Sequence, residues 1–317
     1  MSTFDSVDSA FVNIIQDIMT NGHITDSRNG PVRECLGAQI ILENIDHPFL
    51  MNQRRKLSPY YACAEVLWYL SFTSEVEMIE AYAPQYAKFA DHGNTYGAYG
   101  HRLHSNLRDH DSHTDNQLDL VIDTLKNNPN SRQAIITLWA ADDLYAAINA
   151  SSKDVPCTLC LQFLIRDNEL VMITTMRSND VWLGLPYDMF AFTCIQRLVG
   201  QALGVKCGAY IHQVGSLHLY QKNWDAAREA MRDPYFITNN KPIWLTEISP
   251  DWRAEVKECL RVEKCARKGV PTVAHFRDMH TTEMMFDLVS TASHKWKGGV
   301  PLTLSFDLLK GISNVDN

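Results

Sequence analysis

Pro156-Cys157 places a thiol directly behind a proline, at the head of an apolar run that contains Gln162-Phe163. Arg177-Ser178-Asn179-Asp180 follows and runs into Leu183-Gly184-Leu185-Pro186-Tyr187-Asp188, and the stretch closes on His218-Leu219-Tyr220. A nucleophile, an anion-binding Arg-Ser pair, a polar group on a tight turn and a His/Tyr pair, in that order, suit a pyrimidine nucleotide held for covalent attack. C5 of a pyrimidine is a poor carbon nucleophile until a thiolate adds to C6 and pushes electron density onto C5. That thiolate needs positive charge beside it, which Arg177 and Arg132 can supply. Cys157-x-x-Cys160 also has the spacing of a dithiol or of half a zinc site. On a strand, however, side chains at i and i+3 face opposite sides, and no second pair of cysteines has ligand spacing.

Together these residues resemble the fingerprint of the thymidylate synthase superfamily: Pro-Cys-(four residues)-Gln-Phe, Arg-Ser-x-Asp-(two residues)-Leu-Gly-Leu-Pro-Phe-Asn, then His-x-Tyr. The resemblance covers roughly residues 25–225. It implies Cys157 as nucleophile, with Arg28, Arg132, Arg177 and Ser178 around the nucleotide phosphate, where guanidinium forks and a hydroxyl are natural partners. It implies Gln162, His218 and Tyr220 as further substrate contacts, the last two at the sugar 3′-hydroxyl. Asp180, Leu183 and Gly184 fall at the folate contact. The implied co-substrate is 5,10-methylenetetrahydrofolate, with no metal. The partner is a second copy of the chain, in a homodimer whose sites are shared because Arg132 reaches the neighbour's phosphate. Tyr96 and Tyr99, in Thr95-Tyr96-Gly97-Ala98-Tyr99-Gly100, both lie near the family's catalytic tyrosine, and the spacing leaves the choice between them open.

One departure decides the substrate expectation: the family's Asn is Asp188 here. An amide can donate to O4 of uracil and accept from its N3–H, whereas a carboxylate only accepts. Cytosine protonated at N3 offers two donors, N3–H and the 4-amino group, to one carboxylate, and that charge-assisted pair makes C6 more electrophilic. Cytidylate hydroxymethylases of the superfamily carry a carboxylate at this position. The expected activity is therefore 5-hydroxymethylation of dCMP, with CMP as the ribose alternative, thymidylate synthesis from dUMP as a rival, and a non-catalytic nucleotide- or RNA-binding member as another. Asp188 also stands where a helix N-cap is expected.

Glu65 sits in Ala64-Glu65-Val66-Leu67-Trp68, a carboxylate in an otherwise apolar helix, which resembles the family's Glu-Leu-Leu-Trp. Burial would raise its pKa and suit it to relaying protons. Near residues 80–92 the chain holds Tyr82, Tyr86 and Phe89 and no Trp, so the aromatic shelter that excludes water in synthases is not evident. His92, His101, His104, His110 and His113, with Asp109 and Asp111, read as a polar loop rather than a metal site. Arg54-Arg55-Lys56 reads as a solvated turn.

The elements that must position these groups follow from periodicity. Helices are predicted from Phe11 to Met19 with a stop at Gly22, over 59–71, 75–89, 116–127, Tyr187–Leu203, His218–Met231, 250–267 and 281–292. Residues 26–42 read as a loop and then a strand, followed by strands Ala134–Trp139, Leu159–Ile165, Leu170–Thr175, Tyr210–Val214 and Leu302–Phe306. Helices over a large twisted mixed sheet give an α/β (α+β) fold. With no linker or repeat, the 317 residues are expected to form one domain, with 232–317 a divergent helical extension. Lys+Arg 29 against Asp+Glu 37 gives −8, against a nucleic-acid groove. Eight scattered cysteines suggest reduced thiols in the cytoplasm, and neither a signal peptide nor a membrane-length apolar run is evident.

Overall fold

The computed structural model describes residues 2–104, 116–149, 152, 154–232, 252–270, 289, 293, 295 and 296. The chain forms two compact units from interleaved stretches: Met1–Leu57, Gln117–Ala140 and Pro156–Asn240 make the first, the remainder the second.

The first unit is built on one seven-stranded mixed sheet. Its strands are β1 (Ser2–Phe4), β2 (His23–Ser27), β3 (Gly30–Leu42), β4 (Ile135–Thr137), β5 (Thr158–Arg166), β6 (Glu169–Asp180) and β7 (Lys206–Tyr220). They lie in the order β1-β3-β7-β6-β5-β4, with β2 also paired to β3. The β1–β3 and β6–β7 pairs are parallel and the rest antiparallel. Strand alternation puts Leu170, Met172, Thr174 and Met176 of β6 with Tyr210, His212 and Val214 of β7 on the buried face. Helices Val7–Asn21 and Leu185–Leu203 pack there. His212 is fully buried, with Nδ1 2.8 Å from the Tyr210 hydroxyl, and burial pulls its pKa down to about 3, so it is neutral. The opposite face carries half-buried Ile173, Thr175, Ile211 and Gln213.

Two side chains tie helices to the sheet. Gln196 donates from Nε2 to the carbonyls of Leu170, Gly208 and Ala209 at 2.8, 3.1 and 3.2 Å, bridging the starts of β6 and β7. Gln117, at the head of the helix Gln117–Asn127, exchanges two hydrogen bonds with the Thr137 backbone and so occupies the open edge of β4.

Three expected elements differ. The strand expected to end at Leu42 does so, but it starts at Gly30, and the expected loop is only the Arg28-Asn29 tip of a hairpin that β3 forms with β2, Gly30 standing at φ 107. Helix 75–89 is interrupted, as Glu77–Tyr82 and a 3₁₀ turn Pro84–Lys88, because Pro84 has no N–H to continue the ladder. His218–Tyr220 do not open a helix but complete β7, and the helix there is Trp224–Ala230. Leu217–Tyr220 pair with Val32–Cys35 of β3, and this pairing overrides local propensity. The helix at 250–267 is observed as Trp252–Arg267. The expected helix 281–292, residue 289 apart, and the strand Leu302–Phe306 lie outside the described residues, as do Asp109, His110, Asp111 and His113. No helix among the described residues is long and apolar enough to cross a membrane.

In the second unit the helix Pro59–Tyr69 is capped by Ser58, whose side chain accepts from the Tyr61 N–H. Glu77–Tyr82 packs on it, as does Trp252–Arg267. Arg102 forms a buried two-pronged ion pair with Asp143, both bonds 2.8 Å, and so fastens Tyr99–His104 to the helix Asp142–Ile148.

Gly204 ends the helix Leu185–Leu203 in the left-handed conformation, φ 68, with its N–H on the helix's last carbonyls. Gly204→Ala should cost about 1 kcal/mol through the Cβ clash in that conformation. The expected result is a lower urea midpoint with an unchanged slope; an unchanged midpoint would mean the turn relaxes freely.

Candidate active site

The first unit gathers most of the candidate residues at the C-terminal ends of β6 and β7. Cys157, half-buried, stands just ahead of β5, and its carbonyl accepts from the Arg177 N–H at 2.9 Å. The Arg177 guanidinium turns back over the same turn, with Nε donating to the Pro156 carbonyl at 2.8 Å and the fork resting 5.8 Å from the Trp139 ring. Arg177 is thereby fixed on the Pro156-Cys157 turn through that turn's backbone carbonyls.

Beyond Arg177, side chains alternate across β6. Ser178 Oγ is 3.4 Å from His218 Nδ1, and the His218 ring stands edge-on to Tyr220 at 5.2 Å. The β6–β7 register sets Ser178 opposite Ser216 and Asp180 opposite His218. Asn179, buried, donates from Nδ2 to Asp188 Oδ2 at 2.8 Å. Asp188 is not the N-cap: the cap position belongs to Gly184, without a side-chain bond, and Asp188 lies inside the first turn, its N–H donating to the Gly184 carbonyl. There the partial positive charge of the helix N-terminus favours the carboxylate. A Cβ on Gly184 would stand 3.2 Å from Asp188 Oδ2, so a residue without a side chain leaves the carboxylate its room.

Asp180 folds its Oδ1 into the following turn, accepting from the N–H groups of Trp182 at 2.8 Å and Leu183 at 3.3 Å. Its Oδ2 is buried, and among the described residues nothing donates to it. Burial raises its pKa, against the pull of those two backbone bonds. An orphaned buried acceptor fits an N–H donor of a folate pterin ring. Leu183 is largely exposed beside it.

Arg28 is exposed at the β2–β3 hairpin tip, and Arg132 is exposed just before β4, its carbonyl accepting from Gln162 Nε2 at 3.0 Å. β3 and β4 are separated by β7, β6 and β5, four strand spacings or about 19 Å, so one chain does not bring these two arginines together.

In the second unit Glu65 is 4% exposed. Its Oε1 accepts from the hydroxyls of Tyr61 and, at 3.3 Å, Tyr86. Burial pushes its pKa up to about 7 even though those hydroxyls pull it down. Tyr99 packs against Tyr69 at 5.3 Å in the aromatic cluster around Glu65, whereas Tyr96 is 42% exposed and lies over Arg102.

Sequence reasoning missed Asn179, Tyr61, Tyr86 and Trp139. Asn179 was legible as the variable position inside Arg-Ser-x-Asp, and Tyr61 as the residue one helical turn before Glu65. Arg55 is not a solvated turn residue. It donates to the Trp182 carbonyl and stacks on the rings of Trp182 and Tyr187, 5.6 Å from each, and burial lowers its pKa. Among the described residues no group of three His, Cys, Asp or Glu is placed to hold a metal ion.

With this architecture in view, comparison with known proteins identifies the class. Residues 9–244 match the thymidylate synthase family, and the chain belongs to it. It is 28% identical over 243 residues to thymidylate synthase 1 of Bacillus spizizenii, covering 72% of this chain and 85% of that protein. It is 29% identical over 222 residues to the deoxyuridylate hydroxymethyltransferase of Bacillus phage SP01, covering 68% of this chain and 57% of that one. The fold matches the thermostable thymidylate synthase A from Bacillus subtilis with a TM-score of 0.65 and 25% identity, over 78% of this chain and 91% of that one. The protein is thus a family enzyme that transfers a one-carbon unit to a pyrimidine nucleotide, with methylenetetrahydrofolate as the family's donor.

Asn179→Ala should remove the donor that orients Asp188. A hydrogen bond to a charged group is worth about 1.5–3 kcal/mol, so kcat/KM for the pyrimidine nucleotide should fall roughly ten- to a hundredfold. Asn179→Asp, which sets two carboxylates together, should do worse. Wild-type kcat/KM in Asn179→Ala would mean that the pair does not align the carboxylate.

Proposed function

We propose that this enzyme is a cytidylate 5-hydroxymethylase acting on dCMP. The observation that carries this reading is Asp188, an acceptor-only group whose Oδ2 takes the Asn179 amide N–H. In a dry pocket the carboxylate would repel O4 of uracil but accept two protons from N3-protonated cytosine. Cys157 adds to C6, and Arg177 and Ser178, with Arg28, hold the phosphate. Gln162, His218 and Tyr220 complete the nucleotide contacts. Asp180, with the backbone at Leu183-Gly184, would hold the folate, which supplies the methylene carbon. Glu65 carries protons, with Tyr99 rather than the exposed Tyr96 as the assisting tyrosine. Water completes the product as a 5-hydroxymethyl group.

The working unit in this proposal is a homodimer, as is typical of the family, joined through the half-buried sheet face. Arg132 then serves the neighbour's phosphate, in keeping with its distance from Arg28. A mixture of Cys157→Ser and Arg132→Ala chains should therefore recover activity that each lacks alone, since one heterodimer site is left intact. No recovery after demonstrated subunit exchange would mean that each chain builds its whole site.

The phage relative's name supports a second reading, hydroxymethyl transfer to deoxyuridylate, and Asp188 is what separates the two. The test offers dCMP, CMP, dUMP and UMP with methylenetetrahydrofolate, reading product mass and absorbance. dCMP should give a hydroxymethyl product and tetrahydrofolate; dihydrofolate from dUMP would mean a thymidylate synthase. Asp188→Asn should cost dCMP on the order of 2–4 kcal/mol in transition-state binding while uridylate gains. Loss for dCMP with no gain for dUMP would remove the main support for cytosine.

A further inference from the structure

Glu65 has an unusual hydrogen-bond arrangement for a buried carboxylate. Oε1 takes both phenol hydroxyls, Tyr61 from one turn earlier on the same helix and Tyr86 from the 3₁₀ turn Pro84–Lys88. The two hydroxyl oxygens are themselves 3.2 Å apart. Among the described residues nothing donates to Oε2, although it too is buried. The phenols are held by ring packing, Tyr86 edge-on to Trp68 at 5.4 Å and to Phe89 at 6.1 Å, so neither hydroxyl swings freely. The carboxylate is thus fixed through Oε1, with the Tyr69 hydroxyl also acting on it, and among the described residues the lone pairs of Oε2 remain for a further donor.

We propose that Tyr61 and Tyr86 are positioning residues for the hydration step, fixing Glu65 so that Oε2 accepts the proton of the attacking water. This rests on the hydroxymethylation reading above. Before hydration the base carries a C6–S bond to Cys157 and an exocyclic C5=CH2. The water oxygen bonds to the methylene carbon while its proton passes to Oε2. The electron pair of C5=CH2 moves onto the base, then forms C5=C6 as the C6–S pair leaves with the Cys157 sulfur. No oxidant or reductant is consumed.

The same arrangement sets a pH dependence. Burial holds Glu65 near 7, and each hydroxyl donated to it stabilises the charged form and pulls the pKa down. Tyr61, Tyr69 and Tyr86 are the titratable groups that face it, and Asp154 and Tyr99 face Tyr86 in turn. Removing a hydroxyl should therefore move the Glu65 pKa upward, and with it the limb on which activity rises.

The test is Tyr86→Phe and Tyr61→Phe in the full chain, with C5-tritiated dCMP and methylenetetrahydrofolate. Tritium release reports events up to loss of the C5 proton, and hydroxymethyl product reports hydration. Wild type should give the two in equal amounts. Each variant should lose roughly tenfold or more in product relative to tritium released, with its pH–rate limb moved to higher pH. Tyr61→Phe carries the test if Tyr86→Phe folds poorly. An unchanged ratio and limb in both variants overturns the inference. So does an equal loss of release and product with the limb in place, which would mark a structural role. Absence of hydroxymethyl product from the unsubstituted enzyme with every nucleotide would instead overturn the functional reading, and needs no variant to be seen.

Discussion

The parallel pairing of β6 with β7 is the constraint on which the first unit's candidate site depends. It runs from Glu169 opposite Lys206 to Asp180 opposite His218, interrupted by one irregularity near Leu170. A slip of one residue would turn every side chain on β6 to the other face. Asn179 would then lose Asp188, Ser178 would leave His218, and Asp180 would no longer close the turn into the helix that carries Asp188. The register is held from both ends: Gln196 bridges the strand starts, and β3 and β5 pair along the outer sides of β7 and β6. The strands that present the chemistry are thus central, with their backbone groups already satisfied by neighbours.

Two carboxylates in this chain sit in opposite environments. Asp188 lies in the first turn of a helix and accepts from a buried amide. Glu65 lies among aromatic rings with phenol hydroxyls as its partners among the described residues, and burial drives it to about 7. In the proposed reaction, an acceptor held in place by an amide would suit fixed recognition of a cationic base. A group balanced near neutrality suits moving protons, because it can both take and return one.

Much of this was legible in the sequence because it is local. Pro156-Cys157, the Arg177–Asp180 run and the turn into Asp188 are each short local motifs, and their resemblance to a family fingerprint orders them. The helix ending at Gly204 and the breaks after Gly22 and Asn127 followed from residue chemistry in the same way. What escaped is what pairing and packing decide. β7 reads as a short strand and a helix because Leu217–Tyr220 takes its conformation from β3, a partner more than 180 residues away in sequence. Tyr86 carries no mark of its contact with Glu65 until the turn at Pro84 brings it there. Arg55 reads as a surface charge because nothing nearby in sequence signals the rings of Trp182 and Tyr187.

The fold is shared with thymidylate synthases at 25–28% identity, so substrate choice cannot lie in the scaffold as a whole. It has to lie where a small chemical change has a large energetic consequence. Asn and Asp are nearly the same size, so the exchange at position 188 disturbs no packing and leaves the Gly184 clearance as it is. It does convert a donor-acceptor group into a group that only accepts. In water the difference would be modest; in a closed pocket an unmatched acceptor pair costs the full desolvation of both groups. The Asn179 amide sharpens this further. With Oδ2 already accepting from that amide, the carboxylate is oriented as an acceptor. Under the cytidylate proposal, a carboxylate held by Asn179 would discriminate against uracil where an amide would accept it.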